Sequence, residues 1–286
     1  MFTNDAGNKR IDIFKDTMRL CKSNARLGES VKKSIANTRL YAPDDKPQIS
    51  FVGNTRSTKI SVTAERTFQA AKRLTEKYVG EKRIAVHNFA SATNPGGGVT
   101  RGSSAQEEAL CRCSTLYPCL NTDKLFEEYY SMHKKRHDVR YTDACIYTPD
   151  ITVFKTDTAF PELMPESEWF SVDILTCAAP NLRSEPYNSM NPGKGAPVKM
   201  TDNELLSLHK KRGRHILGIA AENGDDILVL GAFGCGAFRN DPQIVARAYK
   251  ELLPEFEGMF DEIVFAVYFT PDNTKNFDTF KRILSE

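Results

Sequence analysis

Two glycine-rich segments are the parts of this sequence best suited to hold an anionic ligand. One contains Gly96, Gly97 and Gly98 within NPGGG, and the other runs from Gly234 to Phe238 in GCGAF. Glycine allows backbone N–H groups to approach an anion without interference from a Cβ atom, and a following helix N-terminus adds positive potential. Two such loops at one sheet edge suit a diphosphate, although each glycine could also serve only a tight turn.

Two adjacent glutamates, Glu107 and Glu108, follow the first glycine loop in the sequence QEE. Neighbouring residues on a helix point about 100° apart, so only one of them can face a given bond. Acidic residues in a first helical turn often serve only the helix dipole. Beside a phosphate-binding loop, however, carboxylates are unfavourable unless they do chemistry, and the pair therefore predicts acid–base catalysis.

Other nucleotide-binding classes lack support in the sequence. There is no GxxxxGK[ST] segment and no GxGxxG segment opening a helix, which argues against a P-loop triphosphatase and a Rossmann hydride-transfer site. The chain has 39 basic and 37 acidic residues among 286, a net charge of +2. A protein that coats nucleic acid would be far more basic, so we expect a local anion site without sequence-specific nucleic-acid binding.

Buried strands alternate with helices along the chain. Near-continuous apolar runs predict strands at 83–90, 144–147, 151–154, 171–179, 226–233 and 262–269, with a further strand pair around Gly53 and Asn54. Helices are predicted at 8–40 (one or two), 65–78, 103–116, 122–136, 202–222, 242–253 and 275–284. This alternation predicts an α/β fold with a mostly parallel, helix-covered sheet.

Capping residues mark several helix ends. Thr63 is a candidate N-cap for the helix that stops before Gly80. Thr201 and Glu204 have the spacing of a capping box, and Gly224 is placed to stop the same helix.

The domain organisation is predicted to be simple. No linker rich in Pro, Gly or Ser divides the chain, so we expect one domain overall, with residues 1–45 as a packed helical extension and 46–286 as the catalytic part. Seven scattered cysteines favour a reduced, intracellular, cytoplasmic location, with nuclear access open in a eukaryote. No apolar stretch reaches membrane-spanning length, so no membrane partner is expected.

The motifs together resemble poly(ADP-ribose) glycohydrolases of the compact microbial type. NPGGG, seven further residues and QEE resemble the signature of that family, as do NFASAT, ALCRCSTLYP, DILTCAAPN and LGAFGCGAFRNDP. The resemblance covers the chain from about residue 10 to its end. It implies a three-layer α/β/α macrodomain-like fold with a mixed sheet, preceded by the helical extension. It also implies a monomer that needs no cofactor.

By this resemblance, Glu108 is the general acid and base. It would protonate the leaving oxygen of the ribose–ribose bond and then accept a proton from the attacking water. Glu107 would bind the substrate's ribose hydroxyls, with support from Gln106. The other ligand-binding residues that the resemblance implies are Asn94, Gly96, Gly97, Gly98, Gly234, Cys235, Gly236, Ala237, Phe238 and Asn240.

The adenine end of the site is less defined. The resemblance assigns no residue to the adenine amino group, and Asp12 and Asp16 are only acidic candidates. Phe277 could pack against adenine or belong to the core. The resemblance implies cleavage from the ends of the polymer, although cleavage at internal bonds remains an alternative.

Three further patterns favour structural over metal-binding or catalytic roles. His133 and His137 lack the HExxH arrangement and are expected on a solvated basic face. Cys111, Cys113 and Cys119 are expected to be buried thiols. The run from 209 to 215, HKKRGRH, is expected to be a solvated helix face, with attraction of a polyanion as the alternative.

The predicted function is therefore hydrolysis of poly(ADP-ribose) with release of ADP-ribose. Two alternatives remain at this point. One is a hydrolase that removes single ADP-ribose units from ADP-ribosylated proteins or nucleic-acid bases. The other is a non-catalytic module that binds ADP-ribose, which the intact QEE segment disfavours because a pure binding module needs no acid there.

Overall fold

A seven-stranded mixed sheet forms the centre of the computed structural model, which describes residues 3–49, 57–187 and 196–285. The strands are β1 (Arg39–Tyr41), β2 (Lys59–Thr63), β3 (Ile84–Phe89), β4 (Cys145–Val153), β5 (Phe170–Cys177), β6 (Ile227–Leu230) and β7 (Glu262–Ala266). Their order in the sheet is β1-β4-β5-β3-β6-β7-β2. Pairing is parallel from β5 through β3, β6 and β7 to β2, and antiparallel at β4 and β1.

Helices cover both faces of this sheet. They are α1 (Thr3–Ser23), α2 (Ala25–Asn37), α3 (Thr67–Lys77), α4 (Gln106–Cys113), α5 (Leu116–Leu120), α6 (Asp123–Leu125), α7 (Met132–Arg136), α8 (Asp202–Glu222), α9 (Pro242–Leu252) and α10 (Lys275–Leu284). Apolar side chains of α1 to α5 pack on one face, and those of α8, α9 and α10 pack on the other. The predicted three-layer α/β/α architecture is confirmed.

The central parallel strands β3, β6 and β7 are buried on both faces, which explains their continuous apolar sequences. In β3, Val86 points to the core under α3 and α4, whereas Ala85 points to the core under α8 and α9. A strand with two covered faces gains by burying every side chain, at roughly 25 cal/mol per Å² of apolar area. These runs could therefore be recognised without knowledge of their partners.

The N-terminal residues belong to the same core as the sheet. Phe14 of α1 and Leu27 of α2 are buried there, and β1 pairs antiparallel with β4 as an edge strand. The segment 1–45 thus contributes a strand as well as helices, and a division at residue 45 stays a prediction. Gly7 of α1 contacts Gly102 so closely that a Cβ on Gly102 would lie 2.3 Å from the Gly7 carbonyl oxygen.

Two local assignments from the sequence are wrong. Thr63 is the last residue of β2, and α3 begins later with Arg66 as its N-cap. The strands predicted at 144–147 and 151–154 are one strand, β4, with an irregularity near Asp150, whose φ of 58° is left-handed. Of the strand pair predicted around Gly53 and Asn54, the second strand is β2, whereas Gly53 and Asn54 themselves lie outside the described residues.

The helix predicted from Ser103 is shorter than expected. It begins at Gln106 because the backbone of its N-cap, Ala105, is extended (φ −70°, ψ 178°). The carbonyl oxygen of Ser103 accepts a hydrogen bond from the Arg112 side chain (2.6 Å). The helix predicted at 122–136 is present with Thr122 as its N-cap, but its centre, Phe126–Ser131, is π-helical. The capping box of Thr201 and Glu204 at the start of α8 is confirmed.

A buried acidic pair lies at the sheet edge opposite the glycine loops. The Tyr147 hydroxyl donates to Asp173 (2.9 Å) and Asp225 (3.3 Å), and Arg83 pairs with Asp173 (2.6 Å). Burial, followed by the charge of Asp173, raises the pKa of Asp225 well above its ordinary value of 3.8. Asp225 therefore stays protonated in the native state after the unfolded chain has ionised.

The raised pKa of Asp225 predicts that the free energy of unfolding depends on pH. The stabilisation from Asp225 is fully present below pH 3.8 and is lost as the pH rises towards the native pKa, by up to about 1.4 kcal/mol per pH unit. We expect Asp225→Asn to remove this component, since an amide cannot ionise. Urea unfolding of both proteins between about pH 4 and pH 7 measures it. Parallel stability curves for the two proteins would contradict the assignment.

Candidate active site

A cavity of about 730 Å³ opens at the carboxyl ends of β3, β6 and β7, between the two glycine loops. Ligands of open α/β sheets bind at this edge. Its walls include ten of the thirteen residues predicted from the sequence: Asn94, Gly97, Gly98, Gln106, Glu107, Glu108, Gly234, Gly236, Ala237 and Phe238. Gly96, Cys235 and Asn240 do not line it.

The first glycine loop is pressed against the two glutamates. Gly97 has a φ of 58°, and a Cβ at this position would lie 2.6 Å from Glu108 Oε1 and 3.0 Å from Glu107 Oε2. Gly96, with a φ of 64°, faces the other way, where a Cβ would lie 2.7 Å from the Tyr117 ring. These glycines are thus required both by their left-handed backbone and by the close approach of their neighbours.

The oxygens of Glu108 are in different environments. The N–H of Gly98 donates to Oε1 (2.8 Å), whereas Oε2 is buried without a hydrogen-bond partner among the described residues. A buried polar atom without a partner is unfavourable unless a ligand provides one. The side chain is thus held at the wall of the cavity through one oxygen, and the other oxygen makes no hydrogen bond within the described residues.

Glu107 is bound more fully by the protein. The N–H of Ser91 donates to its Oε2 (2.7 Å) and the Asn88 amide donates to its Oε1 (3.5 Å). Burial and the charge of Glu108 raise the pKa of Glu107 well above its ordinary value, more than these hydrogen bonds lower it. Glu107 therefore holds a proton more readily than an exposed carboxylate does.

Gln106 connects the start of α4 to the rest of the fold. Its amide accepts from the N–H of Phe89 (2.9 Å) and donates to the carbonyl of His87 (2.8 Å) and the hydroxyl of Thr67 (3.1 Å). The side chain lines the cavity, but these bonds tie α4 to the end of β3 and the start of α3. These bonds therefore fix the start of α4, which carries both glutamates.

The second glycine loop is held from behind by Asn240. The Asn240 amide donates to the carbonyls of Gly234 (3.1 Å), Phe238 (3.2 Å) and Pro180 (2.8 Å). Its Oδ1 lies 2.8 Å from His209 Nε2, on α8. Since Oδ1 can only accept, His209 must carry a proton on Nε2. Burial lowers the pKa of His209 to about 4, so it makes this bond as a neutral imidazole.

This chain of contacts predicts a positioning role for His209. Replacing it with Leu leaves the Asn240 oxygen buried without a donor, which costs about 1–3 kcal/mol and loosens the loop. We expect ADP-ribose to bind about tenfold more weakly and His209→Gln, which restores an N–H donor, to recover most of the loss. Calorimetric titration of ADP-ribose measures both effects.

His215 offers a matched control on the same helix. It is also buried, but its Nε2 has no hydrogen-bond partner among the described residues, and it does not line the cavity. His215→Leu is expected to leave ADP-ribose affinity unchanged. An equal loss in both Leu variants would assign the effect to the packing of α8.

Aromatic side chains that the sequence analysis did not identify complete the walls. Tyr141 lies 6.1 Å from Phe238, ring centre to ring centre, and has a left-handed φ of 56°. A bulky residue in that conformation stores strain, which is frequent at ligand sites. Phe89 and Phe233 lie 5.7 Å apart beneath the glycine loops. Both lie at the carboxyl ends of predicted strands, where ligands of such sheets bind, so they could have been identified from the sequence.

One end of the cavity has mixed charge. Arg66 lies over the ring of Tyr268 (4.2 Å to its centre) and 3.8 Å from the carboxylate of Asp157. Asp157 is buried, and its Oδ1 makes no hydrogen bond within the described chain. Tyr268 follows β7 and was predictable from its strand, whereas no local pattern marks Asp157 or Arg66.

The remaining candidates lie elsewhere. Asp12 and Asp16 are on α1 outside the cavity, and Asp16 pairs with Lys155 (2.8 Å). Phe277 packs on Phe269 (4.9 Å between ring centres) and also does not line the cavity. Cys235 faces a second cavity, described below.

The prediction that the His133 region and the 209–215 segment form solvated faces is partly wrong. His133 is buried, with its ring nitrogens bonded to the Tyr129 carbonyl and the Thr142 hydroxyl (2.9 Å each). In the 209–215 segment, Arg212 is buried against Asp143, while Lys211 and Arg214 are exposed. The interior of a large domain accepts such polar groups when their hydrogen bonds are made.

Two other features bear on ligands and location. Cys111, Cys113 and Cys119 are buried free thiols, as predicted. Within the described ranges, no group of His, Cys, Asp or Glu side chains could hold a metal ion. In the same residues, no helix is long and apolar enough to cross a membrane.

Comparison with known proteins matches the chain to one family. The family model described as the catalytic domain of the microbial-type PARG, a poly(ADP-ribose) glycohydrolase, matches residues 8–156. A search of curated proteins found no match.

Solved structures of this kind are similar over nearly the whole chain. Poly(ADP-ribose) glycohydrolase from Thermomonospora curvata is 32% identical with a TM-score of 0.83, covering 96% of this chain and 99% of that one. The same enzyme bound to the inhibitor ADP-HPD is 33% identical with a TM-score of 0.80 and the same coverage. The enzyme from Deinococcus radiodurans in complex with ADP-ribose is 35% identical with a TM-score of 0.73, covering 89% and 97%. With its QEE segment at the glycine loop and its cavity at the carboxyl edge of the sheet, the chain belongs to the microbial-type poly(ADP-ribose) glycohydrolase family.

Proposed function

We propose that this protein is a poly(ADP-ribose) glycohydrolase that hydrolyses ribose–ribose O-glycosidic bonds and releases ADP-ribose, with Glu108 as its acid and base. The observation that carries the proposal is the position of Glu108. Its Oε1 is fixed by the Gly98 N–H, and its buried Oε2 has no partner within the described chain. An acid that must deliver a proton to a bound glycosidic oxygen needs this combination of fixed geometry and a free oxygen.

The proposed reaction uses one carboxyl group in two steps. Glu108 in its protonated form gives its proton to the leaving ribose oxygen as the C–O bond breaks and oxocarbenium character develops on the anomeric carbon. The resulting carboxylate then takes a proton from the water that attacks this carbon, which regenerates the acid. Glu107, held by Ser91, is placed to bind ribose hydroxyls beside it.

The binding frame is assigned from the two glycine loops. Backbone N–H groups near Gly98 and Gly236 would face the diphosphate, with Asn94 binding the hydroxyls of the distal ribose. Phe238, supported by Tyr141, would cover the bound nucleotide. The expected ligands are thus poly(ADP-ribose) or ADP-ribosylated macromolecules as substrates and ADP-ribose as product.

The proposed location is a reducing compartment within the cell. All seven cysteines are free thiols, and burial raises the pKa of each of them. Buried neutral thiols are stable where oxidants are scarce.

Product analysis tests the proposed function. Purified protein is incubated with poly(ADP-ribose), and with a protein carrying single ADP-ribose units, and free ADP-ribose is quantified by chromatography. Release from the polymer alone is expected. Release from the singly modified protein alone would indicate the mono-ADP-ribosyl hydrolase, and ADP-ribose binding without release from either would indicate a binding module.

A further inference from the structure

A second cavity, of about 740 Å³, adjoins the active-site cavity on the far side of the second glycine loop. The two cavities share four lining residues, Arg183, Gly236, Ala237 and Asn276. The loop from Gly234 to Phe238 therefore forms a wall between them, with its outer surface facing the second cavity. We call this second cavity the basic groove.

Three cations line the basic groove: Arg183, Arg239 and Lys275. None of them forms an ion pair with another residue in the described ranges, whereas on the adjacent helices Lys210, Arg214 and Arg247 each pair with a glutamate. Arg239 and Lys275 are exposed, so their charges face the solvent that fills the groove. In a chain with nearly balanced charge, this cluster marks a local preference for anions.

Backbone dipoles reinforce the same preference. The first residues of α9 and α10, Pro242 and Lys275, line the groove, so two helix N-termini lie at it. One carboxylate, that of Asp241, is also present, but it is engaged as the N-cap of α9 by accepting from the N–H of Gln243 (2.8 Å). The groove thus combines two positive helix ends with three cations that form no ion pair within the described residues.

We propose that the basic groove binds the pyrophosphate of the polymer unit next to the one held in the active-site cavity. This inference rests on the proposed function, since only a polymer presents a second pyrophosphate covalently linked to the first. The cavities meet at Gly236 and Asn276, so the connected unit can pass from one to the other without leaving the surface. The groove would give the enzyme a preference for chains over single ADP-ribose units.

The test is a double variant that removes two charges without touching the active-site cavity. Arg239→Gln with Lys275→Gln is suitable, because both residues line the groove alone, whereas Arg183 lines both cavities. We expect the KM for long poly(ADP-ribose) to rise roughly tenfold at low salt, and its log–log dependence on salt to weaken by roughly 0.7 per lost contact. The ADP-ribose dissociation constant, measured by calorimetry, is expected to stay within about twofold.

A second double variant controls for net charge. Lys124 and Arg282 are exposed and line neither cavity, and their replacement by Gln removes the same two charges. An equal rise in KM for this control would overturn the inference and indicate a general attraction of the polymer by net charge. An unchanged KM in the groove variant would also overturn the inference. Weaker ADP-ribose binding by the groove variant would also overturn it. Failure of the proposed function is distinguishable, because the wild-type protein would then release no ADP-ribose from polymer.

Discussion

Replacing Glu108 with Gln is expected to lower the rate of ADP-ribose release by about 10²–10⁴-fold while ADP-ribose still binds. The amide retains an oxygen that can accept from the Gly98 N–H, so the loop keeps its contact. The amide has no acidic proton to give to the leaving oxygen, so the acid catalysis is lost. Single-turnover release from poly(ADP-ribose), together with calorimetric binding, measures the two properties separately.

Glu107 provides the matched control for this variant. It is adjacent in the chain, similarly buried, and held by the Ser91 N–H, but no oxygen of Glu107 is without a hydrogen-bond partner among the described residues. Glu107→Gln is expected to reduce release much less than Glu108→Gln. A larger loss of release in Glu107→Gln than in Glu108→Gln would assign the acid role to Glu107. Full activity of Glu108→Gln would contradict acid catalysis by Glu108.

Replacing Gly97 with Ala is expected to abolish both ADP-ribose binding and release. The new Cβ would lie 2.6 Å from Glu108 Oε1 and 3.0 Å from Glu107 Oε2, so the loop or both carboxylates must move. The left-handed φ of 58° adds about 1–2 kcal/mol of strain. Because a 1 Å displacement of reacting groups can cost about 10²-fold in rate, we expect activity to fall at least this far.

Gly80→Ala is a control that separates the backbone strain of Gly97→Ala from the contact of its Cβ with the glutamates. The Gly80 φ of 71° is also left-handed, but a Cβ there would meet nothing within 4 Å. Gly80→Ala should therefore lower thermal stability about as much as the strain in Gly97→Ala does, and leave ligand binding intact. The measurement is the rise in melting temperature on adding ADP-ribose, which binds the folded state. A preserved rise in Gly97→Ala would exclude the first loop from the site.

Features set by neighbours in the chain could be predicted from the sequence. The strands β3, β5, β6 and β7, the capping box at Thr201 and the stop at Gly80 depend on burial patterns and hydrogen bonds within a few residues. The glycine loops and the glutamates that follow them were also visible, because one glycine run and one QEE segment lie close together. The resemblance then connected these motifs to a reaction.

Errors occurred where distant residues decide the structure. Thr63 has the type of an N-cap, but pairing of β2 with β7 keeps it in the sheet. His133 and Arg212 are in sequences that are typical of a solvated face, yet both are buried against partners on other segments. These partners are Thr142, nine residues from His133, and Asp143, 69 residues from Arg212. Composition cannot reveal such partners, since the favourable contact exists only after folding.

The sequence by itself determined the fold class, the two loops and the pair of carboxylates, because each depends on residue types that are close in the chain. Only the tertiary structure decided which carboxylate oxygen is free, which side chain holds each loop, and that Arg239 and Lys275 share a groove. Glu108 and Gly98 are ten residues apart, but His209 and Asn240 are 31 apart on different elements. Contacts of the second kind follow from the packing of helices on the sheet, which no local pattern records.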